Sequence, residues 1–131
     1  MKALGFYREL WPSSSDWDGN IGDFVSNSPQ PNEQEVAAYL RNGHALFASM
    51  GVVDDVLGSG ESIVGGSSLF TDGDWVWRGD LWFYVVTYHL LLPDEFTSKI
   101  RASGYSMPSV EQDRLVELTD AVQSLRTRGR N

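Results

Sequence analysis

The sequence contains no cysteine. Disulfide frameworks, iron–sulfur clusters, cysteine-ligated zinc and cysteine nucleophiles are therefore excluded. No apolar run is long enough to span a bilayer, and the first ten residues lack the pattern of a signal peptide. These absences predict a cytoplasmic protein without a membrane-spanning segment.

Histidine is also scarce, and the sequence holds no complete catalytic motif. His44 and His89 are the only histidines, and they lack the H-E-x-x-H spacing of zinc proteases. We expect structural roles for both. The glycines at 58, 60, 65 and 66 complete neither a dinucleotide-binding motif nor a P-loop, and no G-x-S-x-G nucleophile elbow is present. The sequence therefore predicts no catalytic residue and no cofactor.

The segment 16–22 places oxygen-bearing side chains at alternate positions, as a calcium loop requires. It then departs from that pattern, because the sixth position is Ile21 instead of glycine and the twelfth is Asn27 instead of glutamate. Asx turns account for the segment better. We therefore predict no metal site.

Basic residues are few and unevenly placed. Ten Lys and Arg oppose eighteen Asp and Glu, which gives a net charge of −8. Residues 9–98 hold fourteen acids and only two bases, Arg41 and Arg78, a balance of −12. Such a surface repels phosphate backbones and anionic lipids, so we expect neither nucleic acid nor membrane as a partner. It attracts a basic protein partner, although acidity also keeps many small proteins in solution.

The composition and the order of the predicted elements indicate one α+β domain. Apolar residues make up 41% of the 131 residues and aromatic residues 12%, which is enough for a single core. The apolar spacing predicts strands over 3–10 and 44–50, a short element over 52–57, and helices over 33–42, 81–90, 94–103 and from about 110 to 127. We expect a small, mostly antiparallel sheet packed by three to four helices, a long polar loop over 11–31 and a flexible basic tail over 127–131.

The strongest local signal is Asp72-Gly73, which lies between two β-prone runs over 67–71 and 74–78. It predicts a hairpin with a type I′ turn, in which both central residues have positive φ. Trp75 and Trp77 lie two residues apart, so they point to one face of the sheet. Asp80 is expected to cap the helix that follows.

Aromatic residues are concentrated just after this turn. Clusters of this kind usually form a core, but Trp75 and Trp77 cannot both be buried if the outer sheet face is hydrated. An exposed tryptophan among carboxylates is typical of a protein-binding hot spot. We therefore predict a binding site made of Asp72, Asp74, Trp75, Trp77, Arg78 and Trp82.

A second hypothesis is a small-molecule pocket or minor hydrolase site. It requires Asp74 or Asp80 to form a hydrogen bond with His89. The residues of this alternative pocket are Asp80, Tyr84, Tyr88 and His89.

A third hypothesis is an oligomerisation module. The last predicted helix has an apolar stripe that must pack either on the sheet of this domain or on a partner helix. The stripe consists of Leu115, Leu118, Val122 and Leu125.

The run from Ser67 to Phe96 resembles a segment of small bacterial proteins with the pattern S-L-x-T-D-G-x-W-x-W-x-x-D-L-x-Y-Y-V-x-x-Y-H-x-x-L-P-x-E-F. Phe83 stands where tyrosine is usual, and the segments 39–43 and 50–57 fit the same group, so the similarity covers about residues 36–100. The resemblance implies an immunity-type or accessory protein that neutralises a bacterial toxin by binding it. Together with the charge, it predicts a non-enzymatic cytoplasmic protein whose acidic, aromatic surface blocks a basic toxin domain.

Overall fold

The computed structural model describes residues 2–11 and 19–128, with side chains up to residue 124. Within these ranges the chain has the predicted α+β fold, with four α-helices and six short strands. The strands are β1 (Lys2–Ala3), β2 (His44–Phe47), β3 (Val52–Asp54), β4 (Ser62–Val64), β5 (Leu69–Thr71) and β6 (Trp75–Arg78). The helices are α1 (Glu33–Arg41), α2 (Leu81–Tyr88), α3 (Asp94–Ala102) and α4 (Gln112–Arg128).

The larger sheet has the strand order β1-β6-β5-β2, so β5 and β6 are central. β1 runs parallel to β6, whereas the β6–β5 and β5–β2 pairs are antiparallel. β3 and β4 form a separate two-stranded antiparallel sheet. The predicted mostly antiparallel arrangement is therefore confirmed.

The predicted hairpin is formed by β5 and β6, with Thr71 opposite Val76. Its turn is not of type I′, because only Gly73 has a positive φ, of 102°. The carboxylate of Asp72 accepts hydrogen bonds from the backbone N–H groups of Asp74 and Trp75 at 3.0 and 2.8 Å. These two hydrogen bonds stabilise a turn in which Gly73 is the one residue with a left-handed backbone conformation.

The N-terminal segment differs from the strand predicted over residues 3–10. Extended pairing is limited to Lys2–Ala3, because Gly5 has a φ of 71° and turns the chain. Leu4, Phe6 and Tyr7 then all enter the core instead of alternating across a sheet.

Three sequence predictions fall partly outside the described residues. Residues 12–18 of the predicted loop over 11–31 lie outside, and so do Asp16 and Asp18 of the calcium-like segment. The described end of that loop contains a 3-10 turn over Ile21–Phe24. Residues 129–131 of the predicted tail also lie outside, whereas residues 127 and 128 continue α4.

The predicted cap at the start of α2 is confirmed in its position but not in its hydrogen bonding. Asp80 occupies the N-cap position, but its side chain makes no hydrogen bond to the N–H groups of the helix. Its carboxylate pairs with Arg78, two residues earlier. Both side chains of this pair are largely withdrawn from water.

The apolar stripe of α4 packs on the sheet of this chain, which is one of the two predicted alternatives. Leu118 and Val122 are buried in the core, and α4 contacts β2. Leu115 is half-buried, and the side chain of Leu125 lies outside the described part. Over the described ranges, no helix combines the length and apolar character needed to cross a bilayer.

Candidate functional site

The two tryptophans of the predicted binding site are buried. Trp77 is 0% exposed and Trp75 is 5% exposed. Phe96 of α3 packs edge-on against both indoles, with ring centroids 5.5 Å from Trp75 and 6.1 Å from Trp77. Val76 on the opposite face is buried as well, so neither face of β6 is hydrated. The condition for an exposed indole, a hydrated outer sheet face, is therefore not met.

Trp77 joins β6 to the end of α1. Its indole Nε1–H donates a hydrogen bond to the backbone oxygen of Leu40 at 3.0 Å. Leu40 lies in the last turn of the helix, where carbonyl groups lack helical donors. Tyr39, the preceding residue, lies against the same indole. The contacts of Trp77 are therefore those of a core residue.

Asp72 is also internal and connects three elements. Its Oδ2 accepts hydrogen bonds from the hydroxyl of Tyr39 at 2.6 Å and from Nζ of Lys99 at 3.3 Å. Burial, followed by the hydrogen bond to Asp72, raises the pKa of Tyr39 well above its ordinary value. Lys99 also binds the exposed Asp74 at 2.7 Å, and this bond lowers the pKa of Asp74. Asp72 therefore anchors the hairpin to α1 and α3.

The buried Asp80 pairs with the partly exposed Arg78 where three segments meet. The guanidinium binds both carboxylate oxygens of Asp80, at 3.3 and 3.1 Å. It also donates to the backbone oxygen of Leu10, while the backbone N–H of Asp80 donates to Gly66 at 3.1 Å. Burial raises the pKa of Asp80 to about 6 and outweighs the opposing effect of Arg78.

Replacing Asp80 with asparagine is expected to remove a pH dependence of stability. The carboxylate has a higher pKa in the folded protein, about 6, than its ordinary 3.8, so the folded state binds more protons between about pH 4 and about pH 6. The free energy of unfolding of the wild type should therefore fall relative to Asp80→Asn as the pH rises through this window. About two pKa units correspond to a change of about 3 kcal/mol. Urea unfolding across the window measures the difference, and a constant difference would contradict the prediction.

The residues of the alternative pocket do not converge on His89. The Nδ1 atom of His89 pairs with Glu33 at 3.0 Å, and neither Asp74 nor Asp80 forms a hydrogen bond with the ring. His89 has a φ of 54° at the end of α2. The predicted His–Asp pair is therefore absent among the described residues.

The two tyrosines of that pocket support the chain around β3. The hydroxyl of Tyr84 accepts a hydrogen bond from the backbone N–H of Val56 at 3.0 Å. The hydroxyl of Tyr88 donates to the carboxylate of Asp55, which in turn accepts the N–H groups of Leu57 and Ser59. Both hydroxyl groups therefore hold the turn after β3 against α2.

Trp82 keeps partial exposure, unlike the other described tryptophans. The guanidinium of Arg41 lies over its ring, 4.6 Å from the centroid. This contact joins the end of α1 to the start of α2. The predicted binding site therefore does not form one accessible surface. Asp74, Arg78 and Trp82 are at least partly accessible, whereas Asp72, Trp75 and Trp77 are buried.

A cleft of about 220 Å³ lies between the start of α1 and α3. Glu33 and Arg101 lie on its wall with apolar residues, but none of the predicted site residues does. In the described part of the chain, no group of three His, Asp or Glu side chains is arranged to hold a metal ion.

Sequence reasoning missed that the three most exposed large apolar side chains of the described residues lie on and beside the small sheet. Met50 is 93% exposed, Val52 59% and Val64 79%. Val52 and Val64 are directly opposite in the β3–β4 ladder, and Met50 lies two residues before Val52. Asp54 and Glu61 are exposed on the same small sheet and its connecting turn. We name these five residues the β3–β4 patch.

The carboxylates of the β3–β4 patch are not neutralised. No lysine or arginine occurs between residues 42 and 77. Within the described structure, Asp54 accepts a hydrogen bond from the hydroxyl of Ser62, and no cation pairs with Asp54 or Glu61. The absence of bases was visible in the sequence, whereas the exposure of the valines was not, because strands of three residues are too short to show a periodicity.

Comparison with protein-family models, with curated proteins and with solved structures gives no match for this chain. The resemblance of residues 67–96 to immunity-type proteins stays a prediction. The candidate site is therefore defined by the exposure and the charge of the β3–β4 patch.

Proposed function

We propose that this protein is a non-enzymatic binding protein of the cytoplasm, and that the β3–β4 patch binds a basic protein partner. The observation that carries the proposal is the pairing of exposed Met50, Val52 and Val64 with carboxylates that have no cationic partner. A basic toxin domain, the partner that the sequence resemblance implies, has the required charge.

The two kinds of side chain in the patch would have different roles in binding. Burial of apolar surface contributes about 25 cal/mol per Å², so the valines and the methionine would supply most of the affinity. The carboxylates would raise the association rate and select partners that carry Lys or Arg around an apolar centre. The apolar side chains that supply the affinity would therefore belong to the small sheet and not to the tryptophans of the β5–β6 hairpin.

The charge also disfavours two other partners. A nucleic acid would bring phosphates against Asp54 and Glu61, and no basic side chain in the patch offsets that repulsion. A second copy of this chain docked patch to patch would bring the same carboxylates together. A partner of opposite charge is therefore the best complement.

A random twelve-residue peptide library displayed on phage tests the proposal without knowledge of the natural partner. The wild type is panned at low ionic strength, and enriched peptides are synthesised and their affinities measured. The variant Val64→Lys adds a cation to the patch, and the matched control is Val116→Lys, since Val116 on α4 is 50% exposed and lies outside the patch.

We expect the enriched peptides to combine apolar residues with Lys or Arg. They should bind Val116→Lys as tightly as the wild type, and Val64→Lys at least about tenfold more weakly. Their affinity should also fall as the salt concentration rises. Equal binding to the two variants, or a library that yields no specific peptide, would overturn the proposal.

A further inference from the structure

The hydrogen-bond alternation of the β3–β4 ladder leaves one side of β3 open. Gly65 donates to Gly51 at 2.7 Å, and Asp55 donates to Glu61 at 3.0 Å. Bonded pairs in an antiparallel ladder recur every two residues, so the pair Val53–Ile63 between them is bonded as well. The backbone groups of the neighbouring residues Val52 and Asp54 therefore point away from β4.

These outward groups have no partner in the described part of the chain. The backbone N–H and C=O groups of Val52 and Asp54 form no hydrogen bond outside the ladder. The side chains of both residues are exposed as well. β3 is therefore a free sheet edge, which folded proteins usually cover or protect.

The opposite edge, along β4, is less suited to a long additional strand. After Val64 the chain turns into the body of the protein, since the N–H of Gly66 bonds back to Ile63 and Gly66 is buried. Before β3, in contrast, Met50 and Gly51 remain exposed. The accessible edge of β3 therefore extends beyond the start of the strand, as far as Met50.

We propose that the partner contributes an extended segment that pairs with the free edge of β3 and completes a three-stranded sheet. This inference rests on the proposed function and specifies how binding occurs. The main-chain groups of Val52 and Asp54 would bond to the added strand. The added strand would carry an apolar residue beside Val52 and, two residues away on the same face, a Lys or Arg beside Asp54, since alternate residues of a strand share one face.

The variant Val52→Pro tests this pairing, because it removes an edge N–H that the β3–β4 ladder does not use. Its matched control is Ser62→Pro, which removes the equivalent N–H on the β4 edge. With the tightest-binding peptide from the library as the probe, we expect Val52→Pro to weaken binding at least about tenfold and Ser62→Pro less than about twofold. Circular dichroism establishes that both variants are folded.

A second measurement uses the wild-type protein and does not depend on the folding of a variant. Each residue of the same peptide is N-methylated in turn, which removes one main-chain donor. We expect losses of at least about tenfold at alternate positions and little effect at the positions between them. Hydrogen exchange should slow at the amides of Val52 and Asp54, and not at those of Ser62 and Val64.

The possible outcomes separate this inference from the proposed function. In one outcome, N-methylation weakens binding at no position of a peptide that still binds Val64→Lys more weakly than Val116→Lys. That result would overturn strand pairing and leave the proposed function intact. Slowed exchange at Ser62 and Val64 alone would overturn the choice of edge. Concentration-dependent protection of Val52 and Asp54 in the free protein would identify a second copy as the occupant and overturn the inference.

Discussion

Replacing Trp77 with alanine is expected to lower the free energy of unfolding by about 3–5 kcal/mol. The side chain is fully buried, so its removal leaves a cavity between Tyr39 and Phe96. It also removes the indole donor that satisfies the carbonyl of Leu40. Urea unfolding followed by far-ultraviolet circular dichroism measures the loss without relying on the fluorescence of the mutated residue.

Two control variants test whether the whole buried indole is needed and whether the loss of any tryptophan has the same effect. Trp77→Phe keeps an aromatic ring but removes the donor and part of the buried ring volume, so we expect a smaller loss, of about 1–3 kcal/mol. Trp82→Ala removes a partly exposed ring whose charged contact is with Arg41, and its effect should also be smaller than that of Trp77→Ala. A Trp77→Ala variant as stable as Trp82→Ala would contradict the core assignment.

Replacing Asp72 with alanine is expected to lower the free energy of unfolding by about 3 kcal/mol. That is the lower end of the range for removing one member of a buried ion pair, because Lys99 is partly exposed and can be rehydrated. The variant leaves the buried hydroxyl of Tyr39 without its acceptor and the backbone N–H groups of Asp74 and Trp75 without theirs. Thermal and urea unfolding measure the effect.

Asp74 provides the matched control, since it binds the same Lys99 two residues further along the chain. Its side chain is exposed, so water screens the pair and replaces its hydrogen bond. We expect Asp74→Ala to cost less than about 1 kcal/mol. If the two variants were equally stable, the burial of Asp72 would not be the cause of its contribution.

Local patterns in the sequence predicted the elements whose signals are short-range. Asp72-Gly73 between two β-prone runs predicted the β5–β6 hairpin, because glycine adopts the positive φ that the turn requires. Apolar spacing predicted α1, α3 and α4 close to their observed bounds. The type of turn was wrong, since the Asp72 carboxylate binds two backbone N–H groups and stabilises a different turn.

The location of the candidate site was not predictable in the same way. Trp75 and Trp77 point to one face of β6, but α3 covers that face with Phe96, about twenty residues later in the chain. Val52 and Val64 look like ordinary strand residues, and only the position of the small sheet leaves them in water. Exposure is a property of the packed molecule, so no pattern within one segment specifies it.

The sequence alone determined the α+β class, the hairpin and the excess of acidic side chains, because propensity, turn chemistry and charge belong to individual residues and their near neighbours. Tertiary structure decided which carboxylates are internal. Asp72 and Asp80 are buried and pair with Lys99 and Arg78, and Asp55 is buried and bonded to Tyr88, while Asp54 and Glu61 face solvent. Tertiary structure also decided which apolar residues are accessible. The physical reason is that burial and ion pairing depend on contacts between segments far apart in the chain, and folding fixes those contacts collectively.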